Sequence, residues 1–250
     1  MKPEALLSVR GLRHRWADGP EVLAGVDLAL MAGECHVLLG RSGCGKSTLL
    51  QVVAGLLRPS AGQLGWRGAP LRGPEREIAL VFQRPSLLDW LTVEDNVLLP
   101  VSLQGRVPPH EREQARHWLA RLGLSGMGQR RPAQLSGGQQ SRVAIARAWM
   151  QRPRLLCMDE PFAALDALTR EDLQHELMTL CAEQGTAVLF VTHDLAEAAV
   201  LGDRVSLLHQ GRLTHALRID QAQPRARSWR DDPAYHATCA QLRRHLEASR

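Results

Sequence analysis

Apolar and polar residues alternate from Val26 to Leu30, and Cys35 to Leu39 is a nearly continuous apolar run. Both read as strands, the second a buried one, and short strands dominate the first third. Gly40 to Gly45 interrupts the pattern as a loop. From Lys46 the apolar residues Leu49, Leu50, Val52, Val53, Leu56 and Leu57 recur at helical spacing, which predicts a helix over Lys46 to Leu57. Arg58-Pro59 should end it, because proline cannot continue a helical hydrogen-bond ladder. Ile78 to Phe82 predicts a further strand.

The period then changes. From about Thr92 to Gln151 the pattern predicts helix after helix. Thr92 with Asp95 forms an N-terminal cap, His110 to Leu122 is amphipathic and stops at Gly123, and Ser136 to Met150 follows. Strands and helices next alternate: Leu155 to Met158, a helix near Ala167 to Gln184, Ala187 to Val191, a helix from Asp194, and Val205 to His209. Strands separated by helices imply a mainly parallel sheet covered on both faces. The last stretch, 221–250, is polar and arginine-rich and reads as a loosely docked helical tail.

Composition narrows the class. The 250 residues are 44% hydrophobic and 23% charged, as in a globular chain that buries a core. No apolar run nears the ~18 residues that span a bilayer, and Met1 to Glu4 does not open a secretory signal. The five cysteines (Cys35, Cys44, Cys157, Cys181, Cys239) show no paired spacing, which reads as reduced thiols in a cytoplasmic setting. Net charge is +5, a modest and dispersed surplus that does not call for nucleic acid. Only Lys2 and Lys46 among the 31 basic residues are lysines. Lys46 lies in a glycine-rich loop, so that position needs a compact ammonium rather than a planar guanidinium.

Gly40-Arg41-Ser42-Gly43-Cys44-Gly45-Lys46-Ser47 fits the phosphate-binding loop, between a strand and a helix as that motif requires. Its glycines let backbone N–H groups curl around phosphate oxygens, and the following helix points its positive end at them. Lys46 would bridge the β and γ phosphates, and Ser47 would ligate Mg2+. Leu155 to Met158 ends in Asp159-Glu160, two acids at the carboxyl end of a strand, where nucleotide-binding α/β folds place their ligands. Asp159 is expected to hold the metal and Glu160 to polarise the attacking water. Leu135-Ser136-Gly137-Gly138-Gln139 opens a helix as a capping box and leaves N–H donors for an anion.

With these three motifs in this order, the chain resembles the ATP-binding cassette (ABC) ATPases, over roughly residues 4–220. Gln83 after the strand Ile78 to Phe82, Ala164-Leu165-Asp166, and His193 after Ala187 to Val191 fall in the family's order too. The resemblance implies an α/β fold. A P-loop NTPase core with a mainly parallel sheet would carry an N-terminal antiparallel β portion and an inserted α-helical subdomain at 92–152. It implies that ATP is bound by Gly40, Arg41, Ser42, Gly43, Cys44, Gly45, Lys46, Ser47 and Thr48. Trp16 would stack on adenine, and Ser136, Gly137, Gly138, Gln139 and Asp166 would act at the dimer interface. Gln83 would contact Mg2+ and the attacking water, and His193 would hydrogen-bond the γ-phosphate. Two copies, or one with a related subunit, would sandwich two nucleotides head to tail.

Phe82-Gln83-Arg84-Pro85-Ser86-Leu87-Leu88-Asp89-Trp90-Leu91-Thr92-Val93 is similar to the nitrate, sulfonate and taurine importer ATPases, with Asp89 where that group has proline. This implies a stand-alone ATPase at the cytoplasmic face of the inner membrane, working with integral-membrane permease subunits and, indirectly, a periplasmic solute-binding protein. Trp90 is expected to dock the permease, and Leu87 and Leu88 to fill the core. Ser141, where Gln, Lys or Arg is common, is expected to face solvent. The alternatives are an exporter ATPase and an ABC protein acting on nucleic acid. The tail arginines Arg225, Arg227, Arg243 and Arg244 read as a solvated helix.

Overall fold

The computed structural model describes residues 5–17 and 19–248. Met1 to Glu4, with the start of the expected domain and Lys2, lies outside them. The chain forms two compact units, one of residues up to Glu75 and from Met178 onward, the other of Arg76–Leu177.

The first unit begins with β1 (Leu7–Arg15) and β2 (Glu21–Leu30). β3 (Cys35–Leu39) and α1 (Lys46–Val53) follow, then β4 (Ala61–Trp66) and the two-residue β5 (Ala69–Pro70). β2, β1, β4 and β5 pair in that order as an antiparallel sheet, the expected N-terminal β portion. β2 buries Val26, Leu28 and Leu30 on one face and exposes Asp27 and Ala29 on the other, as the alternation predicts. β3 is buried along its whole length, the signature of a central parallel strand. Helix α1 is shorter than its apolar spacing predicts. It ends at Val53 because Gly55 turns to φ +74° with the Gly73–Pro74 backbone against it, before Arg58-Pro59 is reached.

The second unit holds β6 (Ile78–Val81), α2 (Val93–Ser102), α3 (Pro109–Arg121), α4 (Gly137–Trp149) and β7 (Leu155–Asp159). α5 (Ala167–Gln184) leads back to the first. β6 and β7 are parallel, with Val81 opposite Met158. Thr92 caps α2 through the Asp95 N–H at 3.1 Å, as predicted. α2, α3 and α4 bury Val97, Leu98, Trp118, Leu119, Ile145 and Trp149, and Trp118 meets Trp149 edge-on at 6.0 Å. Glu94, almost fully buried, is held by Arg112 at 3.3 Å and Arg116 at 3.1 Å.

The first unit resumes with β8 (Ala187–Thr192), α6 (Leu195–Leu201), β9 (Arg204–His209), β10 (Arg212–Arg218) and α7 (Pro233–Ala248). β3 runs parallel to both β8 and β9, and β10 closes antiparallel on β9. The tail is not loosely docked. Arg225, Trp229, Tyr235 and Leu242 are buried, because Arg225 and Trp229 donate to backbone carbonyls of α6 and its end. Arg227, Arg243 and Arg244 stay exposed. Among the described residues no helix is long and apolar enough to cross a membrane.

Candidate functional site

The loop between β3 and α1 is built around Lys46. Its side chain is buried, and Nζ donates to the Gly40 carbonyl at 2.7 Å and the Arg41 carbonyl at 2.9 Å. Two of the three ammonium protons are thus held by the loop itself, which aims the third. Gly45, at φ +105°, precedes the first helical residue, and a Cβ there would meet the Val22 carbonyl at 2.9 Å. At Gly40 a Cβ would lie 2.5 Å from the Leu208 carbonyl. Only glycine fits both places, so the backbone forms a cradle with Ser47 exposed at the helix start. Burial raises the Cys44 thiol's pKa, and the nearby Lys46 charge opposes that.

His193 lies exposed between β8 and α6. Leu39 pairs with Thr192, so the phosphate loop and His193 leave parallel neighbours at the same end. A short network frames His193. Thr192 Oγ1 donates to Glu197 at 2.6 Å and accepts the Asp194 N–H at 3.0 Å, and Asp194 caps α6 through the Ala196 N–H at 2.7 Å. Trp16 leaves 46% of its surface accessible, with its ring edge-on to His14 at 5.0 Å.

In the second unit Gln83, exposed, and the half-buried Asp159 and Glu160 leave β6 and β7 at one end. Glu160 takes φ +43°, a left-handed conformation that a non-glycine residue adopts at a cost of order 1 kcal/mol, often at functional sites. Ser136 caps α4 in a full capping box: its Oγ accepts the Gln139 N–H at 3.3 Å, and Gln139 Oε1 accepts the Ser136 N–H at 2.9 Å. Gly137 and Gly138 bring that helix start against the turn after Glu160. A Cβ on Gly138 would meet Leu165 Cδ2 at 2.5 Å, and one on Gly137 would touch Ala164 at 3.6 Å. Asp166 then opens α5, accepting the Thr169 N–H at 3.0 Å, a bond that lowers its carboxyl pKa.

Two expectations change. Ser141 is buried, not solvent-facing, because its hydroxyl turns back to the Gly137 carbonyl at 3.1 Å inside the packed face of α4. Leu87 and Leu88 are only half-buried, because the loop that carries them lies at the surface. Trp90, by contrast, is 70% exposed. Sequence reading missed what holds that loop. The fully buried Asn96 donates to the Leu88 carbonyl at 3.0 Å and accepts its N–H at 2.8 Å. Arg147 on α4 donates to the carbonyls of Pro85 at 2.8 Å and Ser86 at 3.0 Å. An asparagine one turn into an amphipathic helix is the only local hint of this.

The glycine-rich loop with its one lysine in the first unit, and the strand ending in paired carboxylates in the second, are each features of a nucleotide-binding cassette. The ABC transporter family profile matches residues 23–163. The chain belongs to the ABC transporter family. The aliphatic sulfonates import ATP-binding protein SsuB of Pseudomonas putida is 47% identical over 221 residues, 88% of this chain and 79% of that protein. Its counterpart SsuB 1 of Xanthomonas axonopodis pv. citri is 44% identical over 233 residues, 92% and 90% of the two chains. The bicarbonate transport ATP-binding protein CmpC of Synechococcus elongatus is 43% identical over 237 residues, 92% of this chain but 35% of that protein. Among solved structures, a dimeric ATP-binding cassette in a post-hydrolysis state with ADP and Pi matches with TM-score 0.80 and 31% identity. The match covers 86% of this chain and 100% of that one.

Proposed function

We propose that the chain is the ATP-hydrolysing motor subunit of an importer, driving uptake of a small oxyanion-type solute such as a sulfonate through a separate membrane permease. The import names of its relatives favour this over export or action on nucleic acid. The observation that carries the reading is Lys46, held by two loop carbonyls at the mouth of a glycine cradle.

Gly40 to Thr48 wrap the phosphates with backbone N–H groups, and Lys46 neutralises the β and γ oxygens. Trp16 offers its indole to adenine. The donor set suits Mg2+: the Ser47 hydroxyl, Gln83 and Asp159 are hard oxygen ligands, and the ion, when bound, offsets phosphate charge. Glu160 orients and deprotonates the attacking water, and His193 hydrogen-bonds the γ-phosphate. The Ser136 to Gln139 helix start and Asp166 serve the nucleotide of a partner cassette. ATP therefore joins two copies and hydrolysis releases them. The protein sits peripherally at the cytoplasmic face of the inner membrane, with the ATP-binding domain over 4–220, its helical insertion at 92–152, and Trp90 meeting the permease.

The test is Glu160→Gln. It should bind ATP with wild-type affinity and hydrolyse it at least about a hundredfold more slowly. Wild-type turnover in that variant would refute the assignment of the base.

A further inference from the structure

The residues after β10 do something their composition does not announce. α6 has only seven residues, too short to be stable alone in water. Its last carbonyls would be orphaned at a buried end. Side chains of 223–229 take them up in sequence. Trp229 Nε1 donates to the Ala199 carbonyl at 3.2 Å. Gln223 Nε2 donates to Leu201 at 2.7 Å and Val200 at 3.2 Å. Arg225 donates to Val200 at 2.6 Å, Gly202 at 2.9 Å and Gln221 at 3.2 Å.

Arg225 is 5% exposed, and its guanidinium lies 5.8 Å from the centre of the Trp229 ring. A buried cation over the negative end of a helix dipole is favourable there and would be costly elsewhere. Trp229 in turn meets Tyr235 edge-on at 6.2 Å, which ties the clamp to α7. The opposite end of α6 is the His193 network: Thr192, Asp194 and Glu197 join the end of β8 to the first turn of the helix. One short helix therefore has His193 at its entrance and the clamp at its exit.

We propose that Gln223, Arg225 and Trp229 clamp α6 and so fix the backbone that carries His193, making Arg225 and Trp229 positioning residues for ATP hydrolysis. This rests on the role given to His193 above. The clamp stiffens the helix and leaves the phosphate cradle alone, so it sets kcat and not nucleotide affinity.

The experiment uses the full chain in four forms: wild type, Arg225→Met, Arg225→Lys and Trp229→Phe. The last removes the N–H donor and shrinks the indole to a phenyl ring that remains aromatic and apolar, a milder change that stays folded even if Arg225→Met does not. Hydrogen exchange at the amides of residues 198–202 should quicken by about tenfold in Trp229→Phe and more in Arg225→Met. The kcat for ATP should fall about threefold to tenfold, with KM within about twofold of wild type. Arg225→Lys should recover part of both. In a His193→Ala background the same substitutions should cause no further loss of kcat, because both act on one element.

Unchanged exchange at 198–202 overturns the clamp while leaving the role of His193 standing. An equal fold-loss of kcat with and without His193 overturns the positioning claim. Wild-type turnover in His193→Ala alone overturns the role of His193 and the positioning claim with it.

Discussion

Replacing Lys46 by arginine keeps the charge and tests its shape. Lys46 is 5% exposed, and its ammonium spans two carbonyls at 2.7 and 2.9 Å. These acceptors suit a tetrahedral centre whose remaining proton would face a phosphate oxygen under the proposed function. A guanidinium spreads the same charge over a plane and is longer by an atom, so it cannot meet both carbonyls and still aim a donor at the phosphate. A lost charge-assisted hydrogen bond is worth about 1.5–3 kcal/mol. Lys46→Arg should therefore bind ATP about tenfold to a hundredfold more weakly. Titration calorimetry with and without Mg2+ measures this, alongside a thermal melt to show that the variant is folded. An affinity within about threefold of wild type in a folded variant would contradict the reading that position 46 demands a compact ammonium.

Other expectations follow from the same geometry. Burial, with help from the Arg204 charge, pushes the pKa of His36 from 6.5 to about 3, so the folded chain keeps it neutral. The unfolded chain takes up that proton below pH 6.5, so stability is complete above 6.5 and falls as pH drops, by up to about 1.4 kcal/mol per pH unit. Urea unfolding at pH 7 and pH 5 should show a difference of about 2 kcal/mol that His36→Gln removes; an identical difference in the variant would assign the slope elsewhere. Trp90→Glu should leave ATP binding intact and abolish solute uptake in vesicles that contain the permease, and unchanged uptake would exclude Trp90 from docking. Gly45→Ala should lose ATP binding, since φ +105° and the Val22 carbonyl leave no room for a methyl group. Binding at wild-type strength would show that the loop adapts.

Motifs fixed by local backbone geometry were legible in the sequence. The glycines of the phosphate loop, the capping box at Ser136 and the acids after β7 each need particular residue types at fixed spacing, and each lies where that spacing puts it. Continuous apolar runs also named β3, β7 and β8, because buried parallel strands tolerate little else. Three kinds of feature were hidden. β1 slips register between Val9 and Leu12 and then buries the polar His14 beside Leu12, so its alternation is broken and its apolar face is not purely apolar. The end of α1 depends on Gly55 meeting Gly73, a contact across 18 positions that no local period encodes. Arg225 and Arg147 look like surface charge in the sequence, and only their backbone acceptors in space make them structural. Ser141 belongs with them, because its hydroxyl found a carbonyl on its own helix and so could be buried.

The account turns on two cassettes closing over shared nucleotide, and mass measurement reads that directly. The Glu160→Gln chain, 27.7 kDa as a monomer, should double in mass by light scattering when ATP and Mg2+ are added. It should return to a single copy when nucleotide is removed or Ser136 is replaced by a bulky residue. A mass that stays at one copy throughout an ATP titration that saturates the phosphate loop, with the permease supplied or not, would contradict the account.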